Sequence, residues 1–107
     1  MLLPDLLLAA GVTLGKELRG PLLAAYVLAE APDGYRVVYS IGEIDPGTGN
    51  AQILVANKKN GDPLPVSEGP FRFVVPQDKR GARWIRQVTR VSVHQLPEQA
   101  PAKRSRD

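Results

Sequence analysis

Residues 56–93 read ANKKNGDPLPVSEGPFRFVVPQDKRGARWIRQVTRVSV, and the order of signals in this stretch decides the fold class. Ala56 closes a strand, Asn60-Gly61-Asp62-Pro63 marks a turn, and Phe71-Arg72-Phe73-Val74-Val75 has the aromatic and β-branched composition of a strand. A proline-bounded basic loop follows from Pro76, and then a last strand ends at Val93. The chain has ten prolines and ten glycines in 107 residues, placed at the joints between such segments. That spacing reads as turn-rich antiparallel β rather than as helix.

Outward from this stretch the same pattern continues. Leu22 to Ala31 is an apolar run that periodicity alone leaves open between helix and strand. Pro32-Asp33-Gly34 is a tight-turn signal needing positive φ, and Tyr35 to Ile41 alternates Tyr, Val, Tyr, Ile against Arg, Val, Ser. A hairpin with Ala24 to Ala31 as its first strand is therefore expected. Tyr35, Val37, Tyr39, Phe71 and Phe73 are expected to point inward. After the loop Pro46-Gly47-Thr48-Gly49-Asn50, residues Gln52 to Ala56 read as a short central strand, apolar on both faces. At the other end, Pro4 to Ala10 reads as a short helix, with proline and Asp5 in its first turn and Gly11 beyond it. Thr13 to Gly20 fits one helical turn, with Lys16 and Arg19 outward, or a loop. The expected class is α+β, mostly antiparallel, with one or two short helices. It forms a single domain over residues 1–96, with a disordered tail over 97–107.

Composition narrows the chemistry. The absence of cysteine excludes disulfides, thiolate metal ligation and a cysteine nucleophile from these residues. The single histidine, His94, has no second ligand of the usual kind for zinc. Glu43 and Asp45 at a strand end read as turn residues, with no nucleophile nearby to make them an acid–base pair. No apolar run reaches the roughly 18 residues of a membrane span. The opening MLLPDLLLAAG lacks a basic flank and is interrupted by Pro4 and Asp5, so it reads as folded protein rather than a signal peptide. The net charge is +3, and Arg72, Lys79, Arg80, Arg83, Arg86 and Arg90 crowd one window. That window is either an anion-holding loop or a solvated basic face. A nucleic-acid surface is not expected, because Trp84 and the two phenylalanines read as buried rather than as a stacking set.

The motifs Asn60-Gly61-Asp62-Pro63-Leu64-Pro65, Pro70-Phe71-Arg72-Phe73-Val74-Val75-Pro76 and Gly81-Ala82-Arg83-Trp84-Ile85-Arg86 resemble, in order and spacing, the molybdopterin-binding domain of the sulfite oxidase family. Asp33-Gly34-Tyr35 and Glu43-Ile44-Asp45 extend that resemblance back to about Leu22. The resemblance implies an oxidoreductase-type fold, a molybdopterin-like cofactor and a periplasmic or otherwise exported location. It also implies that the Gly81–Arg86 loop touches the pterin and its phosphate. Arg86 takes the place of a lysine, and Gly81 lets the backbone approach the ligand. Arg83 and Arg86, three residues apart, are expected on the same side as a guanidinium clamp. Gly81, Ala82, Lys79 and Arg80 are expected around them, with Arg72 either supporting the site or facing solvent. The family's metal-ligating cysteine lies upstream of the matched motifs and is missing here, and Glu68 stands near where many members carry a histidine. The chain is thus expected to be the C-terminal portion of such a domain acting as a module or accessory subunit. It would bind pterin or another phosphorylated ligand without a metal of its own. The alternative is a protein-interaction module that keeps the fold, binds no cofactor, and pairs with a partner protein or a second copy.

Overall fold

The hairpin around Asp33-Gly34 forms the middle of the structure, a computed structural model that describes residues 1–96. Strand β1 (Ala25–Glu30) pairs antiparallel with β2 (Arg36–Ser40), Tyr26 opposite Ser40 and Glu30 opposite Arg36. Gly34 takes φ +93° in the turn, and the Asp33 carboxylate accepts the Tyr35 N–H at 3.0 Å. The last strand, β7 (Arg90–Gln95), pairs antiparallel along the other edge of β1, so the sheet runs β2-β1-β7. Alternation places Val27 and Ala29 of β1 with Val37 and Tyr39 of β2 on the buried face. The tail expected over 97–107 lies outside the described residues.

A second, two-stranded sheet packs against this face, formed by β3 (Leu54–Ala56) and β6 (Arg72–Val74). The expected central strand from Gln52 is shorter than its apolar composition implied. The Ile53 N–H turns back onto the Ala51 carbonyl, and the Ile53 carbonyl accepts from Leu3, which takes the residue out of the ladder. On its other side β3 meets the first residues of the chain, through the Leu2–Leu54 bridge and the reciprocal hydrogen bonds of Met1 and Val55. Strands β4 (Lys58–Lys59) and β5 (Asp62–Pro63) close a small hairpin on Asn60-Gly61, whose φ values of 54° and 85° are those of a type I′ turn.

The helices are short. Helix α1 (Leu3–Ala9) buries Leu3 and Leu7, four residues apart on one face, and Gly11 at φ +88° turns the chain away. Thr13 to Gly20 contains one 3-10 turn at Gly15–Glu17, with Lys16 and Arg19 exposed. A second such turn over Gly20–Ala24 delays the start of the first strand to Ala25. Helix α2 (Ile41–Ile44) was not expected. Ser40 and Glu43 form a capping box, each side chain accepting the other's backbone N–H, and this ends β2 at Ser40.

The core joins both sheets through Tyr39, Ile41, Ile44, Phe73, Val75, Ile85 and Val88. The Tyr39 and Phe73 rings lie 5.8 Å apart across the junction. Two inward assignments fail: Tyr35 is 48 % exposed and Phe71 42 %. Tyr35 precedes the first paired residue of β2, where the hairpin pairing has already ended. Phe71 shares the parity of Phe73 but sits at the mouth of an open groove beside Met1 and Leu6.

Candidate functional site

The proline-bounded loop, from Pro76 into the 3-10 turn Gly81–Arg83, is tied down onto β2 and the residue before it. The Tyr35 hydroxyl donates to the Ala82 carbonyl and the Tyr39 hydroxyl to the Arg83 carbonyl. Ile85 is buried, and its carbonyl accepts the Phe73 N–H at 2.9 Å, which attaches the far end of the loop to β6. Between these anchors lies a polar cleft of about 640 Å³, lined by Asp33, Tyr35, Ser67, Glu68, Arg72, Gly81, Ala82, Trp84, Ile85, Arg86 and Gln87.

Of the residues singled out from the sequence, Arg72, Gly81, Ala82 and Arg86 line this cleft, whereas Lys79, Arg80 and Arg83 do not. The expected clamp of Arg83 with Arg86 is not the arrangement found. The intervening turn is a single 3-10 turn that ends at Arg83, so the residues do not continue along a common helical face. Arg83 turns to the opposite side. Its Nε and Nη2 donate to Asp78 at 2.8 and 2.9 Å, and its Nη1 and Nη2 donate to Glu43 at 2.9 and 3.1 Å. Its Cζ lies 4.9 Å from the centre of the Tyr39 ring. These hydrogen bonds push the Arg83 pKa further up and hold the Asp78 carboxyl below the ordinary carboxylate range. Burial pushes the Tyr39 phenol well above its usual value.

Arg86 is exposed and, among the described residues, makes no ion pair or side-chain hydrogen bond. Arg72 is half-buried rather than solvent-facing. Its Nη1 donates to Glu68 at 2.7 Å, while its Nε is buried without a protein acceptor. Glu68 also lies 3.9 Å from Lys59, so two cations oppose the charge it would present to an anion. Gly81 stands in open space: a Cβ there would meet nothing within 4 Å.

The residues that sequence reading missed are the aromatic ones. Tyr35 and Trp84 both line the cleft, and the Trp84 Nε1 donates to the Val75 carbonyl at 2.9 Å, fixing the indole. No local signal marks Tyr35, because its role depends on a contact 47 residues away. The carboxylates Glu43 and Asp45, read from the sequence as turn residues, both bond backbone N–H groups. Asp45 is buried and accepts the Gly15 N–H at 2.7 Å and the Thr48 hydroxyl at 2.9 Å. His94 stacks on Tyr26 at 5.2 Å on the sheet's outer side. Among the described residues, no group of three or more His, Asp or Glu is arranged to hold a metal ion, and no helix is long and apolar enough to cross a membrane.

A second cavity, about 440 Å³ and largely apolar, opens between α1, the β3–β6 sheet and the start of β7. It is lined by Met1, Leu6, Val55, Phe71, Val88 and Val91 among others.

Comparison with known proteins gives one match. A family model described as oxidoreductase molybdopterin binding domain covers residues 1–102, so it includes the first 21 residues, which carried no motif. No curated protein and no solved structure matches the chain.

Proposed function

The chain belongs to the oxidoreductase molybdopterin-binding domain family, and we propose that it holds the pterin and phosphate of such a cofactor, or another phosphorylated ring ligand, in the cleft beside Gly81 and Arg86. The observation that carries this reading is the exposed Arg86 guanidinium, which lines the cleft and, among the described residues, has no ion pair or side-chain hydrogen bond, with Arg72 lining the same cleft. An unpaired guanidinium on a cleft wall leaves its charge and its planar donors for an acceptor supplied from outside the chain. The cleft volume of about 640 Å³ falls in the range of small-ligand sites. Tyr35 and Trp84 provide flat faces for a planar ring, and Asp33 and Glu68 provide acceptors for ring N–H groups.

The donor set fits the organic part of the cofactor and not its metal. The 107 residues contain no cysteine, and the described ones present no alternative ligand cluster. Arg86 and Arg72 would hold the phosphate and Gly81 would admit the ligand to the backbone. Redox chemistry would be the metal's, with metal ligands from outside these residues. This is the behaviour of an accessory or cofactor-holding module.

A second reading has its own observation. The apolar groove and the half-exposed Phe71 fit a protein-interaction module that binds no cofactor. Calorimetric titration with inorganic pyrophosphate separates the two. Charge-assisted contacts contribute roughly 1.5–3 kcal/mol each, so Arg86→Ala should weaken pyrophosphate binding about tenfold or more. Lys16→Ala removes the same charge from an exposed residue outside the cleft lining and should leave binding unchanged. Equal effects would reduce the site to a diffuse basic surface.

A further inference from the structure

We infer that Arg83 is a positioning residue for the cleft, fixing the loop that presents Arg86 without itself touching a ligand. This deepens the reading of the cleft as a ligand site and rests on it. A guanidinium has five N–H donors, and here all five are engaged. Nε donates to Asp78 and Nη2 to both Asp78 and Glu43, while Nη1 donates to Glu43 and, at 3.4 Å, to the Val38 carbonyl. No donor is left for a phosphate.

The partners come from different parts of the chain. Asp78 lies at the start of the same loop, so its bond with Arg83 closes the loop on itself. Glu43 lies on α2 and is itself locked, its Oε1 accepting the Ser40 N–H at 3.0 Å in the capping box. The Glu43 main chain is held in turn, its carbonyl accepting the Ala51 N–H at 2.8 Å. The guanidinium therefore rivets the loop to a rigid corner of the fold. The Tyr39 hydroxyl on the Arg83 carbonyl holds the same turn from β2, and the Tyr35 hydroxyl on the Ala82 carbonyl holds it from the residue before that strand. Three residues later, with Ile85 buried between them, Arg86 emerges into the cleft.

Charge and position predict opposite signs for one substitution. Glu43→Gln removes a negative charge close to Arg83, so if charge near the loop governed affinity, anion binding would tighten. If Arg83 positions the loop, the same change loosens the rivet and binding weakens. The effect expected is about fivefold or more, the lower end of coupling between linked sites. Arg83→Lys keeps the charge but not the planar fork that spans two carboxylates, so it should bind as poorly as Arg83→Ala.

The test is pyrophosphate titration of the full chain and these variants, with amide hydrogen exchange of residues 79–86 against β1 in each. Weakened binding in Glu43→Gln together with faster exchange confined to 79–86 supports the inference. Binding that is equal or tighter in Glu43→Gln, or rescue by Arg83→Lys, overturns it. An Arg86→Ala protein that binds as wild type overturns the cleft reading instead, so the two failures are distinct. Should Arg83→Ala not fold, Glu43→Gln decides alone, since Glu43 keeps its cap geometry as a glutamine.

Discussion

Truncating Phe73 should damage this fold far more than truncating Phe71, although the two residues lie two apart with the same parity. Phe73 is fully buried in β6, its ring 5.8 Å from Tyr39 at the place where the two sheets meet. Phe→Ala in a core costs about 3–5 kcal/mol, the transfer energy of the ring plus the cavity left behind. Phe71 is 42 % exposed and has open groove beside it, so its truncation forfeits only part of a burial energy of about 1.5–3 kcal/mol and leaves no closed cavity. With a urea slope of about 1.5 kcal/mol/M for a small domain, Phe73→Ala should lower the unfolding midpoint by about 2–3 M and Phe71→Ala by about 1 M or less. Native domains have only about 5–15 kcal/mol in hand, so Phe73→Leu is the companion variant if the alanine protein does not fold. Urea melts followed by tryptophan fluorescence suit the purpose, because the single Trp84 is held against the Val75 carbonyl two residues beyond Phe73. Equal shifts for the two truncations, or a larger one for Phe71, would refute the placement of the inter-sheet core.

Two further expectations follow from local geometry. A Cβ on Gly49 would lie 2.6 Å from the Glu43 Cα, which is backbone and cannot swing aside, so Gly49→Ala should cost about 1–3 kcal/mol in a thermal melt. Gly81→Ala, in open space, should leave the melt unchanged, and a comparable loss at both positions would disprove the close approach at Gly49. The Asp78 carboxyl is held below its unfolded value of 3.8 by hydrogen bonds from Arg83. Its contribution to stability is therefore complete above that pH and disappears as pH falls below it. Asp78→Asn should flatten the drop in urea midpoint on acidification below pH 3.8, and an unaltered drop would show that the pair does not couple to folding.

The parts of the fold legible in the sequence were those set by neighbours in the chain. Positive φ in Asp33-Gly34 and Asn60-Gly61 and the alternation around Val37 and Tyr39 each rest on a few consecutive residues. Helix α2 was also locally encoded, by Ser40 and Glu43 three apart, but the alternation running through Ile41 masked it. Tyr35 and Phe71 were misplaced because parity assigns a face without saying whether anything covers it. Likewise the motif Gly81-Ala82-Arg83-Trp84-Ile85-Arg86 located the loop, while the direction of Arg83 depended on carboxylates up to 40 residues away.

That dependence changes what the basic stretch can do. In the sequence, Arg72, Lys79, Arg80, Arg83, Arg86 and Arg90 add up to a patch of positive charge. In the structure, Arg72 meets Glu68, Arg83 meets Asp78 and Glu43, and Arg90 lies 3.8 Å from Glu30. Arg83 and its two carboxylates together carry one negative charge, so the positive charge left on the loop is that of the exposed Lys79, Arg80 and Arg86. Lys79 and Arg80 lie outside the cleft lining, so on the proposed reading a phosphate is held at contact by Arg86. Long-range attraction to a diffuse patch is screened beyond about 8–10 Å at ordinary salt, whereas a partly buried contact is screened much less. If the cleft holds a phosphate as proposed, recognition depends on where the Arg86 guanidinium is placed as well as on charge, and the carboxylates that fix the loop then matter to a ligand they never touch.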